Sequence, residues 1–140
     1  MGMVQAEITL KNAGDVSNVS RGILNEKEIR QTTVQAVVDT GAATLVINEE
    51  MRQKLGLELK GTKPARLANN QPVMVTVAET VEVHWKNRSM ACQPWVINSS
   101  REILLGAIPL EDMDLMVDPK NQTLTGVHGE EEVGILYLLQ

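Results

Sequence analysis

A chain of 140 residues with 43% apolar residues and a formal charge of −5 fits one domain with a sizeable core, and its acidic balance argues against a nucleic-acid groove or an anionic membrane surface as the main partner. Two tryptophans, one tyrosine and no phenylalanine leave no base-stacking platform, so the core must be built from Val, Ile, Leu, Met and Ala. One cysteine, Cys92, excludes an intrachain disulfide; no run reaches membrane-spanning length, no basic start leads into an apolar signal region, and the expected location is cytoplasmic.

Val4 to Leu10 alternates apolar and polar residues and predicts a half-buried strand. Lys11 to Lys27 is polar and reads as a long, partly exposed hairpin connection, with Val19, Ile23 and Leu24 clinging to the domain surface. Glu28 to Val38 alternates again and delivers Asp39 at its end. Leu45-Val46-Ile47 predicts a short buried strand. Asn48 is a good N-cap for a helix of about two turns, with Glu49 and Glu50 in its first turn and Gly56 as its left-handed cap.

Pro64 to Ala68 and Val73 to Trp85 predict strands around Asn69-Asn70-Gln71-Pro72, a tight hairpin because Asn tolerates positive φ; the second run breaks at Ala78-Glu79-Thr80. Lys86-Asn87-Arg88 is the next turn and Met90 to Ile97 the returning strand, in which Cys92 reads as a buried structural thiol rather than a nucleophile. Ile103-Leu104-Leu105 forms a compact strand ending in Gly106. Pro109 opens a short helix, Leu110 to Met113. Leu115 to Val117 and Thr123 to Thr125 flank a turn at Asp118-Pro119-Lys120-Asn121. Glu130 to Glu132 is a charged spacer, and Ile135 to Leu139 an apolar closing strand. The domain is expected over 1–128, with 129–140 a tail and a candidate dimer-interface strand, the alternative being that the tail packs on its own barrel.

The chemistry centres on Val37-Val38-Asp39-Thr40-Gly41-Ala42. A carboxylate among apolar residues is costly unless hydrogen bonds or function compensate. Asp-Thr-Gly between two apolar strands resembles the active-site loop of aspartic peptidases, and one copy in a chain of this length resembles the half-size, retroviral type. The order of this loop, the hairpin Leu67 to Val73 and the segment Ile103 to Gly106 looks like the retropepsin-like (retroviral-type) aspartic protease family, closest to its small stand-alone, non-viral members. The resemblance runs from about Val4 to Thr125. It implies a mostly-β fold, a single-lobe closed acid-protease-type barrel with one or two short helices.

The same resemblance implies an aspartic endopeptidase acting on peptide or protein substrates as a homodimer, with no cofactor. Two carboxylates sharing one proton activate water, so a second copy of Asp39 is required. Asp39 is then the acid and base, Thr40 braces the loops across the dimer axis, and Gly41 lets the backbone turn and present its N–H to the carboxylate. Ala42, Ala68, Asn69, Asn70, Gln71 and Ile108 are the candidate substrate-binding residues, with Val38, Leu45 and Val46 as further pocket walls. The hairpin folds over substrate as a flap.

Three positions depart from the retroviral pattern. The hairpin tip is Asn-Asn-Gln-Pro rather than Gly-rich. Ala107 stands where many retroviral members carry a charge, and Ala42 brings no hydroxyl to the carboxylate. The last predicts a less acidic activity optimum than in pepsin-like enzymes carrying Ser.

Other residues read blandly. His84 and His128 lack partners at zinc-ligand spacing, so no metal is expected. Asp112, Asp114 and Asp118 read as solvated caps and turns, and Ser99-Ser100 as loop. The rival to the enzyme is a non-catalytic homodimeric module of the same fold that grips extended peptides, or a folding partner with a residual site.

Overall fold

The period-two pattern of the first strand places one face inside the molecule. In β1 (Gln5–Asn12), Ala6, Ile8 and Leu10 are buried while Gln5 and Glu7 face outward. A computed structural model of the chain describes residues 3–66 and 69–128, and in it β1 is paired on both sides. It runs antiparallel to β2 (Gln31–Val38), with Ala6 opposite Ala36, and antiparallel to β6 (Val81–Trp85), with Leu10 opposite Val83. The interior is aliphatic, with Ile8, Leu10, Leu45, Ile47, Leu55, Val81, Val83 and Leu105 fully buried and Trp85 its aromatic edge.

The remaining strands are β3 (Val46–Ile47), β4 (Leu59–Arg66), β5 (Pro72–Ala78), β7 (Arg88–Cys92), β8 (Trp95–Val96) and β9 (Ile103–Leu105). They form one nine-stranded sheet in the order β4-β5-β8-β3-β9-β2-β1-β6-β7. The mostly-β, single-lobe expectation holds. The barrel does not close, however: β4 and β7 stand at opposite ends of the order, and the sheet curls into a half-barrel. Lys60, Lys63 and Pro64 on edge strand β4 are the residues that protect a free sheet edge. A separate hairpin, β10 (Leu115–Asp118) with β11 (Thr123–Gly126), forms as expected, its turn held by Asp118 Oδ1 accepting from the Lys120 and Asn121 N–H groups.

Among the described residues there are three α-helices rather than one or two. The one not anticipated is α1 (Ala13–Ser20), within the stretch read as an exposed connection. Asn12 caps it, its Oδ1 accepting from Asp15 N–H at 3.0 Å while its Nδ2 donates to Leu55 O at 2.9 Å. Asp15 is buried and accepts from the Arg30 backbone N–H at 3.0 Å and from both the Nε and an Nη of Arg30 at 2.9 Å. The Arg30 guanidinium therefore holds the Asp15 carboxyl below its ordinary range. Asn12 and Asp15 serve this network, while Ser17, Ser20, Asn25 and Lys27 face solvent, as does Ile23.

Helix α2 (Glu49–Leu55) matches its expectation: Asn48 Oδ1 accepts from Met51 N–H at 2.9 Å and Gly56 takes φ +65°. Helix α3 (Ala107–Asp112) starts two residues before Pro109. Proline fits there because an early helical N–H has no intrahelical acceptor. Buried Arg88 reaches across from β7, donating to Asp114 O at 3.2 Å past the end of α3. The strand expected over Met90 to Ile97 is two strands, β7 and β8, interrupted at Gln93 and buried Pro94; proline cannot donate to a ladder. The spacer Glu130 to Glu132 and the strand expected at Ile135 to Leu139 lie outside the described residues. Among the described residues no helix is long and apolar enough to cross a membrane.

Candidate active site

Asp39 leaves the end of β2, and the loop 39–45 returns the chain to β3. Strand β9 lies between the two: Val38 pairs with Leu105 in parallel, and Val46 pairs with Leu104 antiparallel. The loop is tied down from behind. Asp39 N–H donates to Leu105 O at 3.0 Å, Ala107 N–H to Ala42 O at 2.8 Å and Ile108 N–H to Ala43 O at 3.0 Å. The first turn of α3 thus spends its free N–H donors on the loop.

Gly106 makes this contact sterically feasible. A Cβ on it would stand 2.3 Å from Thr44 O and 2.5 Å from Ala42 O. Its φ of −92° suits any residue, so the requirement is space rather than backbone freedom. The sequence singled out the Ile103–Gly106 segment but gave Gly106 no role of its own.

The Asp39 side chain is half-buried. Its Oδ1 accepts from Gly41 N–H at 2.9 Å, and its backbone carbonyl accepts from Ala42 N–H at 3.0 Å. Gly41 does not occupy the left-handed region. What it supplies is room, since a Cβ there would stand 3.2 Å from Asp39 Oδ1. Thr40 is exposed.

Asp39, Gly41, Ala42 and Ala43 form one wall of a cleft of about 660 Å3. The opposite wall is the β4–β5 hairpin, through Ala65, Arg66 and Val73 to Thr76. Trp95 to Asn98, Val46 and Leu104 complete it. The volume lies within the range of small-molecule and peptide-side-chain sites. The hairpin is registered from Leu59 opposite Ala78 to Arg66 opposite Pro72. At its tip Asn70 takes φ +68°, Asn69 Oδ1 accepts from Gln71 N–H at 3.0 Å and an Arg66 Nη donates to Asn70 O at 3.0 Å.

The sequence-predicted residues are thus only partly gathered. Asp39, Gly41, Ala42 and Val46 line the cleft. Asn69, Asn70 and Gln71 are exposed at the hairpin tip, off the cleft wall, and Ala68 lies outside the described residues. Leu45 is fully buried and Val38 packs on the core, so neither is a wall. Ile108, half-exposed, lines a different hollow. Trp95, Ile97 and Asn98 were missed. The signal was Pro94, which splits the stretch read as one strand and returns the chain toward the loop.

That second hollow holds about 460 Å3 and is lined by Thr44, Lys60 to Lys63, Val77, Cys92, Gln93, Trp95 and Ile108. Burial pushes the Cys92 thiol up to about 11, against a smaller opposing effect of a hydrogen bond to Thr44; at neutral pH it is a neutral thiol in a wall. No three His, Cys, Asp or Glu side chains among the described residues are grouped to hold a metal ion.

With this loop, cleft and strand order established, comparison with known proteins is direct. The model of the gag-polyprotein putative aspartyl protease family matches residues 25–112, and the chain belongs to that family. Those residues run from ahead of β2 to the end of α3 and contain the loop, the hairpin and β9. Among solved structures, the chain is similar to the retroviral protease-like domain of Ddi1 from Leishmania major. The two are 16% identical, with 89% of this chain and 84% of that one covered and a TM-score of 0.51; this likeness is one of fold. A retropepsin-like aspartic protease from Rickettsia conorii is 26% identical over 62% of this chain and 76% of that one, with a TM-score of 0.47. No curated protein matches the chain.

Proposed function

We propose that two copies of this chain form an aspartic endopeptidase whose site is a pair of Asp39 carboxylates, one from each copy. The observation that carries the reading is the position of Asp39. It sits at the wall of a peptide-sized cleft, on a loop fixed from behind by β9 and α3, with Gly41 N–H on its Oδ1. A residue serving only as a turn former needs neither the cleft nor the second tier of hydrogen bonds.

Two such carboxylates within touching range share one proton, because both cannot be ionised so close together. The ionised Asp39 takes a proton from water as the water oxygen attacks the peptide carbonyl carbon. The protonated Asp39 gives its proton to the carbonyl oxygen. Collapse of the tetrahedral intermediate returns a proton to the leaving amine and restores the shared proton. Exposed Thr40, on the same loop, braces the two loops against each other. The β4–β5 hairpin closes over an extended substrate as a flap, its backbone pairing with the peptide while Val73 to Thr76 form the cleft wall. Apolar side chains beside the cleaved bond suit Val46, Leu104, Trp95 and Ile97.

The test is incubation with a denatured protein mixture from acid to neutral pH, alongside sedimentation of the protein. Cleavage that disappears in Asp39→Asn and with a statine-type inhibitor, in a sample that sediments as a dimer, supports the proposal. Peptide binding retained in Asp39→Asn with no cleavage by the unaltered chain supports the binding module instead.

A further inference from the structure

The hollow lined by Lys60 and Lys63 is not isolated from the cleft. Trp95 lines both, and both follow the same hairpin. Ala65 and Arg66 of β4 wall the cleft, and Lys60 to Lys63, nearer the base of the same strand, wall the hollow. On the loop side Ala43 belongs to the cleft and the next residue, Thr44, to the hollow. The two spaces therefore run end to end. The offset along β4, from Lys63 to Ala65 at the least and from Lys60 to Arg66 at the most, is two to six residues, or about 7–20 Å at the rise of a strand, which an extended peptide alongside covers in the same number of residues.

The chemistry of the hollow differs from that of the cleft and from the protein as a whole. In a chain of charge −5, the residues lining the hollow include Lys60, Lys63, Thr44, Thr62 and Gln93 beside the apolar Val77, Trp95 and Ile108, and none of them is Asp or Glu. Glu79 borders the adjoining hollow, which Lys60 also lines, and its Oε1 is engaged by Glu58 N–H at 2.7 Å. Cys92 adds no charge at neutral pH. Two lysines with Thr and Gln donors among the residues around a space of about 460 Å3 suit a carboxylate.

We infer that this hollow is an outer subsite of the peptide-binding cleft that takes an acidic side chain, Asp or Glu, two to six residues from the residue seated over Asp39. The inference rests on the endopeptidase reading for the identity of the ligand, and it narrows that ligand to extended peptides with an apolar centre and an acidic residue at one fixed distance from it.

The test uses the full-length chain carrying Asp39→Asn, so that binding is read without turnover. Fluorescently labelled peptides with a common apolar centre carry Glu or Gln at each position up to six residues to either side. A further peptide ends at the preferred position with a free carboxylate, to separate a chain terminus from a side chain. The expected result is a preference of about fivefold for Glu over Gln at one position two to six residues out, as two partly screened charge pairs supply. The preference declines as salt rises from about 0.05 to 0.5 M. It disappears in Lys60→Ala/Lys63→Ala, is retained in Lys60→Arg/Lys63→Arg, and turns to favour Lys in Lys60→Glu/Lys63→Glu. Equal binding of Glu and Gln peptides at every position, a preference that survives Lys60→Ala/Lys63→Ala, or a preference confined to the free chain terminus overturns the inference. Failure of every peptide to bind overturns the endopeptidase reading together with it.

Discussion

Replacing Gly106 by alanine tests the central structural claim, that the Asp39 loop is held by close backbone contact with the start of α3. The added Cβ would lie 2.3 Å from Thr44 O, 2.5 Å from Ala42 O and 2.8 Å from Thr44 N, all backbone atoms. Contacts under 3.0 Å are essentially unknown for real Cβ atoms, so the loop must retreat from β9 by about 0.7 Å or more. Overpacking of this kind costs about 1–3 kcal/mol. Stretching the bonds from Ala107 N–H to Ala42 O and from Ile108 N–H to Ala43 O adds about 1 kcal/mol. A loss of about 2–4 kcal/mol lowers Tm by about 10 °C in a domain of this size. Gly22→Ala is the control, since nothing lies within 4 Å of its Cβ position and only its φ of +75° opposes the change, at about 1 kcal/mol. Urea unfolding and calorimetry of both variants give the comparison. Peptide cleavage, on the proposed function, falls about 100-fold in Gly106→Ala, because the carboxylate moves by close to an ångström. A Gly106→Ala protein within about 0.5 kcal/mol of the parent, or no less stable than Gly22→Ala, refutes the steric account.

Asp15→Ala removes the acceptor of three hydrogen bonds from Arg30 and is expected to cost about 2–3 kcal/mol in urea unfolding. The same pair sets an acid limit. Arg30 holds the folded-state pKa of Asp15 below its unfolded value, so the contribution is complete above about pH 4 and is lost as pH falls through the lower folded value; Asp15→Asn should flatten that part of the stability profile, and an unchanged profile would contradict the assignment. With its thiol pushed up to about 11, Cys92 carries well under a thousandth of its population as thiolate at pH 7.5. Iodoacetamide should therefore label it slowly in the folded protein and promptly once urea unfolds it, and rapid labelling of the native chain would remove the buried-wall description. Ala42→Ser supplies the hydroxyl that the loop lacks and should move the acid limb of the cleavage–pH profile to lower pH; a superimposable profile would dispose of that role.

Several local signals, in which both partners of an interaction lie close in the chain, were read correctly, although the Asn12 cap of α1 was not. Asn48 and Gly56 bound α2 because a cap reaches only three residues. Asn70 was legible as a left-handed hairpin residue for the same reason. Asp39 stood out because a carboxylate between apolar strands needs compensation, and Gly41 N–H supplies part of it. Helix α1 was illegible because its polar residues are satisfied at a distance, Asn12 by Leu55 and Asp15 by Arg30. The far walls of the cleft were hidden for a related reason. Trp95 enters through β8, whose neighbours are β3 and β5, and sheet order is not written in alternation. Pro109 falls inside α3 rather than ahead of it; of the residues that the resemblance implied, Ile108 lines the second hollow and Asn69, Asn70 and Gln71 are off the cleft wall.

Strand β9 joins the two strands that flank Asp39, yet it is encoded far downstream of them. The nascent chain can pair β1 with β2 early, but the loop between β2 and β3 has no backing until Ile103 to Ile108 has been synthesised and has threaded into place. Contacts of such sequence separation form late and slowly. A polypeptide cut or stalled before Leu105 therefore carries every residue of the Asp39 loop without the strand and helix that back it, and the backing arrives as one of the last events of folding.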